Sequence, residues 1–182
     1  MLRFFLIFLF SVLIFNASAK NKEKIIKNLK NTSNLSFQFE QNINGKIENG
    51  NCIIEYPKKI FCEYKKNNNK VMVSNGRSIV IKTISSYYRY PLKNTPLNLI
   101  LDKNFLINKI YNLNESIIDK SYINYTIIEN DNKIDIFFDN QTFNLIGWQT
   151  KDIYHNSTFT LLYSITKNQK INKKLFKLPT QN

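Results

Sequence analysis

Histidine occurs once in this chain of 182 residues, at His155, and that scarcity narrows the chemistry open to it. A single histidine in the turn 152–157 reads as a solvated side chain. No Ser/His/Asp set, zinc-ligand spacing, phosphate-cradling glycine loop or nucleophile elbow accompanies it. Asp131, Asp135 and Asp139 recur every fourth residue, but on strands joined by turns they read as exposed solubilising groups. The expectation is therefore a protein with no catalytic residue, no metal and no cofactor. Glycine and proline are also few, four each, and no linker rich in them divides the chain, so one domain is expected. Carboxylates number 13 against 26 lysines and arginines, for a formal net charge of +13. The cations are scattered among asparagines and apolar residues, without the basic block or stacking motif of a nucleic-acid binder. Weak attraction to anionic membrane surfaces or acidic proteins fits this charge better. A membrane-spanning run is missing as well: the apolar stretch Phe4–Phe15 falls short of the roughly 20 residues that a helix needs to cross.

What that stretch does suggest is export. Arg3 gives a positive start, Phe4–Phe15 is apolar apart from Ser11, and Ala17-Ser18-Ala19 forms a small-x-small cleavage site. Residues 1–19 are expected to be a cleavable signal peptide, and residues 20–182 a single exported domain. The residue directly after the cleavage site is Lys20 and not a cysteine, so the mature N-terminus is expected to carry no lipid. The two cysteines, Cys52 and Cys62, have no histidine beside them in sequence, and in an exported protein they read as a disulfide or as inert thiols.

Along the chain, Ile25, Ile26 and Leu29 make a short helical stripe within Lys22–Asn31. The period then changes to two: Leu35, Phe37 and Phe39 alternate with polar residues, and Gln41 continues the inward row, where it needs a hydrogen-bond partner. Residues Ile47–Tyr56 and Ile60–Lys65 read as a hairpin bent at Pro57-Lys58-Lys59, with Cys52, Ile54 and Tyr56 facing Ile60, Cys62 and Tyr64. A bend centred on Pro57 sets Cys52 opposite Cys62, which leaves both a cross-strand disulfide and a pair of free thiols open. Val71–Ser74, Asn75-Gly76 and Ser78–Lys82 predict a second hairpin with a type I′ turn at Asn75-Gly76. Strands resume at Tyr122–Glu129, Lys133–Asp139, Thr142–Thr150 and Ser157–Thr166, with Ile134, Ile136 and Phe138 on one face. Regular antiparallel strands of this kind suggest a meander curled into a barrel or half-barrel, to which Trp148 adds bulk.

Between these two sets of strands lies Thr95-Pro96-Leu97-Asn98-Leu99-Ile100-Leu101. Thr95 is placed to cap a helix and Pro96 to occupy its first position, where the missing N–H costs nothing. Two turns so apolar must cover something, either as a plug in a β structure or as a lid over a cavity. On a helix begun at Pro96, Leu97 and Ile100 share a face and Leu101 flanks it.

The landmarks together resemble the outer-membrane lipoprotein carrier proteins, the LolA-type chaperones of the Gram-negative periplasm. Phe39-Glu40-Gln41 looks like the family's Phe-x-Gln on its first strand. Gly50 with Ile53-Ile54-Glu55-Tyr56-Pro57, then Phe61-Cys62-Glu63-Tyr64, is similar to its strand, proline bend and aromatic strand. Val71-Met72-Val73-Ser74-Asn75-Gly76 looks like its Val-Ser-Asp-Gly hairpin, and Thr95-Pro96 with Leu97–Leu101 resembles its lid helix. Leu145, Trp148 and Asp152 resemble a pattern of the alphaproteobacterial members, and Leu175-Phe176-Lys177-Leu178-Pro179 resembles the closing Phe-x-Phe-x-Pro segment. One position departs: where the family commonly has an arginine that hydrogen-bonds the lid, this chain has Tyr56.

The resemblance implies an unclosed antiparallel β-barrel with a helical lid over an apolar cavity. It implies a periplasmic carrier, expected to be monomeric, that takes acylated lipoproteins from an inner-membrane lipoprotein-releasing ABC transporter to the outer membrane, and to an outer-membrane receptor if one is present. Lipid contacts are then expected from Leu35, Phe37 and Phe39 on the first strand, from Ile54, Tyr56, Ile60, Cys62 and Tyr64 on the hairpin, and from Trp148. The lid is expected to comprise Pro96, Leu97, Ile100 and Leu101. The alternatives are a lipid-sensing regulatory module of the same fold, and an exported esterase that would need His155 as its base.

Overall fold

Alternating apolar residues dominate the chain, and strands account for most of it. The computed structural model describes residues 20–65, 69–119, 121–129, 132–151 and 156–181. The expected signal peptide, Asp131, Asp152 and His155 lie outside the described residues. Helix α1 spans residues 20–30. It is followed by β1 (Asn34–Ile43), β2 (Lys46–Glu55), β3 (Lys59–Tyr64), β4 (Val71–Asn75), β5 (Ser78–Lys82) and β6 (Tyr87–Pro91). After a 3-10 turn come α2 (Leu97–Ile100) and α3 (Lys103–Asn112). The chain closes with β7 (Ser116–Ile118), β8 (Tyr122–Glu129), β9 (Asn132–Asp139), β10 (Leu145–Lys151), β11 (Ser157–Lys167) and a 3-10 turn at Lys173–Phe176.

All the strands join one antiparallel sheet in the order β6-β5-β4-β3-β2-β1-β11-β10-β9-β8-β7. Its two edges, β6 and β7, do not pair, so the sheet is an unclosed barrel. Bulges add curvature: the register slips where β1 meets β11, next to Ser164 at φ 52°, and again between Leu145 and Gly147 on β10. Cross-strand rows define the concave face. Phe37, Cys52, Cys62, Met72, Ile81 and Tyr88 stand opposite one another across six strands, and Leu35, Ile54, Ile60, Ser74, Ile79 and Tyr90 form the next row.

The type I′ turn falls elsewhere than the sequence suggests. Asn44-Gly45, with φ of 50° and 90°, joins β1 to β2 in that geometry. At the second hairpin the two-residue loop is Gly76-Arg77, and Gly76 at φ 95° takes the left-handed position. The reason is Asn75, whose side-chain oxygen accepts the N–H groups of Arg77 and Ser78, both at 3.0 Å, and which stays in the strand. β10 likewise begins at Leu145, later than the expected Thr142, because Asp139 accepts the N–H groups of Gln141 and Thr142 and holds those residues in a turn.

Three elements have no counterpart in the sequence reading, β6, α3 and β7. Asp102 caps α3 by accepting the Phe105 N–H at 3.1 Å, and Leu106 and Ile110, four apart, are fully buried. The expected cap of the lid is also different. Thr95 is extended and Pro96 helical, as a proline-first helix requires, but the Thr95 hydroxyl donates to the Leu92 carbonyl at 2.8 Å and does not cap. The 3-10 turn Leu92–Asn94 leaves that carbonyl within its reach.

Helices α1 and α3 lie over the β7–β10 end of the concave face. Asn28 of α1 donates to the Thr142 carbonyl and to Asn144, Lys24 sits over the Phe143 ring, and Lys109 of α3 pairs with Glu129 at 2.6 Å. Beneath them Ile25, Leu106, Ile110, Ile123, Tyr125, Ile134, Ile136 and Phe138 are wholly buried. Among the described residues, the opposite end of the concave face receives α2 as its one α-helix, while the 3-10 turns Leu92–Asn94 and Lys173–Phe176 also pack against β5 and against β3 and β4.

Candidate functional site

Where the helical cover is thin, an apolar cavity of about 630 Å³ remains. Its floor is the inward row Phe37, Cys52, Cys62, Met72 and Ile81, with Ile60, Phe39 and Tyr64 on neighbouring rows. Trp148 forms one wall and meets the Phe37 ring edge to face at 6.5 Å. Tyr90 on the edge strand forms the other, and Asn94 to Leu97 roof the space. Room for the floor depends on a glycine: a Cβ on Gly50 would lie 2.0 Å from the Glu63 carbonyl oxygen and 2.9 Å from the Phe39 ring. Phe39 fills that gap and packs edge to face against Tyr64 at 5.0 Å.

One margin of the cavity is polar. Gln41, at the end of the inward row, donates to the Thr160 hydroxyl at 3.0 Å, and Thr150 and Thr158 continue that strip. Lys70 lies at the same margin, with its ammonium over the Tyr64 ring at 4.0 Å and paired with Glu48, whose other carboxylate oxygen accepts from Lys46 at 3.2 Å. Burial, and then the Glu48 charge, push the Tyr64 hydroxyl well above the ordinary phenol range. No group in this lining is arranged as a nucleophile beside a base, and the surface on offer is suited to holding an apolar chain.

Of the residues expected at a lipid site, Phe37, Phe39, Ile60, Cys62, Tyr64 and Trp148 line the cavity. Leu35 and Ile54 are on the same face but buried in the core with Ile100, Leu101 and α1. Tyr56 sits at the bend, packed against that core. Pro96 and Leu97 roof the cavity, while Ile100 and Leu101 are fully buried and hold the lid down. Cys52 and Cys62 are joined in a disulfide, directly opposite each other on β2 and β3. The sequence reading left out Met72, Ile79 and Ile81; their alternation along the second hairpin was the available signal.

The bend and the lid are tied at two points. The Lys58 N–H donates to the Leu101 carbonyl at 2.8 Å, and the Lys58 ammonium lies 3.3 Å from the Asp102 carboxylate. Ser74 donates its hydroxyl to the Lys58 carbonyl at 2.9 Å and fixes the bend from the other side. The Tyr56 hydroxyl is buried without a hydrogen-bond partner, and burial raises its pKa far beyond the usual phenol value.

With this geometry described, the family comparison is decisive: the model of the outer membrane lipoprotein carrier protein LolA matches residues 30–179. The chain belongs to the LolA family. That is a family of carriers, which fits a lipid-binding protein. A search of curated proteins finds no match. Among solved structures, the chain is similar to an uncharacterized conserved protein from Thermus thermophilus, with 6% identity, 89% of this chain and 94% of that one covered, and a TM-score of 0.52. MucB is similar at 8% identity and a TM-score of 0.50, over 89% of this chain and 62% of that one. The LolA superfamily protein NE2245 from Nitrosomonas europaea is 9% identical over 88% of this chain and 97% of its own, with a TM-score of 0.47. At such identities the likeness to the Thermus thermophilus protein and to MucB shows the fold alone.

Proposed function

We propose that this LolA-family chain is a periplasmic carrier that holds the acyl chains of lipoproteins released from the inner membrane and hands them on at the outer membrane. The observation that carries the reading is the apolar cavity beneath α2, open where the rest of the concave face is filled. Burial is worth about 0.8 kcal/mol per methylene, so even an acyl chain covered over about ten methylenes gains on the order of 8 kcal/mol against water. That is enough to carry a lipid anchor through water. Partial cover also leaves release feasible.

In this reading Phe37, Phe39, Ile60, Cys62, Tyr64 and Trp148 contact the acyl chains and Leu97 closes over them. Leu35, Ile54 and Tyr56 support that surface from the adjoining core, and Ile100 and Leu101 anchor the lid. Residues 1–19 direct export and are removed, residues 20–182 act as one monomeric domain, and the donor is a lipoprotein-releasing ABC transporter. Native mass spectrometry of protein recovered from the periplasm tests the reading. An adduct with the mass of an acylated lipoprotein or its lipid moiety is expected. Protein that stays ligand-free, and that fails to draw lipoprotein out of inner-membrane vesicles, would overturn it.

A further inference from the structure

The cavity changes character along its length. Its concave rows run from the lid toward the β1–β2 turn, and the first of them, Ile54, Ile60, Ser74 and Ile79, is apolar except for Ser74, whose hydroxyl is bonded to Lys58. Phe37, Cys52, Cys62 and Met72 follow, and then Phe39 with Tyr64. The next two rows turn polar on β2, β1 and β11. Gln41 stands between Glu48 and Thr160, and beyond it Ile43 stands between Lys46 and Thr158, with Thr150 opposite Thr158. Lys70 completes this rim, with its ammonium on the Glu48 carboxylate. At the lid end the polar lining groups are Asn94, which is exposed, and Thr95, whose hydroxyl is bonded to the Leu92 carbonyl.

The rim carries more positive than negative charge. Among the described residues, the Glu48 carboxylate holds two ammonium groups, Lys46 at 3.2 Å and Lys70. Glu40 and Glu63 alternate onto the convex face, and Glu129, further round the rim, is paired with Lys109. Of the two lysines Lys70 is the inner one: its side chain is 16% exposed against 70% for Lys46, and its ammonium rests over the Tyr64 ring of the cavity lining. An ammonium has three protons to donate, and the Glu48 oxygen takes one of them. An acyl chain laid along the apolar rows brings its polar end to this rim. A carboxylate or phosphate there meets Lys70, whereas under the lid it would be buried without a partner. A cavity of about 630 Å³ is also the size of a site for one small ligand.

We propose that the cavity takes single-chain amphiphiles with an oxyanion at the polar end, the tail lying toward the lid and the oxyanion on Lys70, with the Thr150 and Thr158 hydroxyls donating to it. This rests on the cavity being a lipid site, as proposed above, and adds a preferred chemistry for the polar end. Carboxylate and phosphate share that chemistry, as in a fatty acid and a lysophospholipid.

Displacement of a neutral naphthylamine dye from the exported protein, at neutral pH and below micelle formation, tests the proposal. Laurate, dodecyl phosphate and dodecanol have the same tail length and differ at the polar end. At least one of the two anions should compete about tenfold more strongly than dodecanol, and the stronger of them tells a fatty acid from a phosphate-ended lipid. Lys70→Met should abolish the preference and leave dodecanol binding within about twofold of wild type, and Lys70→Arg should keep the preference. Thr150→Val with Thr158→Val should lower it about threefold. The first comparison uses the wild-type protein, so it stands whether or not Lys70→Met folds. Equal binding of the three ligands, or an undiminished preference in Lys70→Met, would overturn the proposal and leave the carrier reading intact. Loss of dodecanol binding along with the anions in Lys70→Met would make Lys70 a support of the rim and overturn its role. Failure to bind the dye or any of the three would overturn both readings.

Discussion

On β8 and β9 the concave face carries Ile123, Tyr125, Ile127, Ile134, Ile136 and Phe138, none more than 1% exposed, whereas on the same face of β4–β6 Ser74 and Ile79 are buried but Met72, Ile81, Tyr88 and Tyr90 are half-buried or exposed. Both regions alternate apolar and polar residues, and both belong to one sheet. The difference lies in what covers them: two helices of about ten residues over the first, and the four-residue α2 over the second. Apolar surface that the protein leaves uncovered is surface that a ligand can gain by covering. For the carrier proposed above, the filled half therefore supplies stability, and the open half supplies affinity.

The sharpest way to break that comparison is to truncate one isoleucine in each half. Ile136→Ala removes a side chain with no exposed area and should cost about 2–5 kcal/mol in urea unfolding. Ile81→Ala borders the cavity and should cost below about 1 kcal/mol while weakening the binding of an acyl probe. Equal losses would mean that the two halves are packed alike. The lid contains the same contrast on a smaller scale. Ile100→Gln places a polar group in a filled core and should cost about 3 kcal/mol. Leu97→Gln, at the cavity roof, should cost below about 1 kcal/mol yet abolish stable retention of the probe. A collapse in stability of the Leu97 variant would make α2 a plug.

The disulfide sharpens the comparison from the other side, because it sits in the half with little helical cover. Cys52 and Cys62 are ten residues apart, and closing that loop contributes roughly 3 kcal/mol in the chain-entropy model. Cys52→Ser with Cys62→Ser should lower stability by up to that amount with the filled half still folded. Thiol labelling of unreduced, denatured wild-type protein should find no free thiol.

Much of this could be read from the residues because alternation survives any degree of cover. Leu35, Phe37 and Phe39, the pairing of Cys52 with Cys62, and the strands after Tyr122 follow from period two and the proline bend. What could not be read depends on long-range contact. The Asn-Gly signal occurs three times; Asn49-Gly50 lies inside β2, and the side-chain bonds of Asn75 make its hairpin turn one residue later than at Asn44-Gly45. α3 escaped notice because Asn104, Asn108, Tyr111 and Asn112 dilute its stripe, and its stability comes from packing on β8 and β9. Ile100 and Leu97 look alike in sequence. Their separation into anchor and roof appears only once α2 is placed against α3.

The smallest effects are expected at the bend, and they show how the lid is held without the family's arginine. Lys58 provides two ties, a backbone bond to Leu101 and an ion pair with Asp102 in which both side chains are about a third exposed or less. Lys58→Ala removes only the second tie. Partly exposed pairs contribute little, so stability should fall by about 0.5 kcal/mol or less. Asp102→Ala should cost more, about 1 kcal/mol, because that carboxylate also caps α3. Tyr56→Phe deletes a buried hydroxyl that has no partner, which should be neutral or stabilising by about 1 kcal/mol. Tyr56→Arg introduces the family's usual residue at the bend and should favour the closed, empty form and slow uptake. Stopped-flow uptake of a fluorescent acyl probe separates these cases: Lys58→Ala faster than wild type, Tyr56→Phe unchanged, Tyr56→Arg slower. If all three match the wild-type rate, the bend does not govern opening, and the lid is held only by Ile100 and Leu101 in the core.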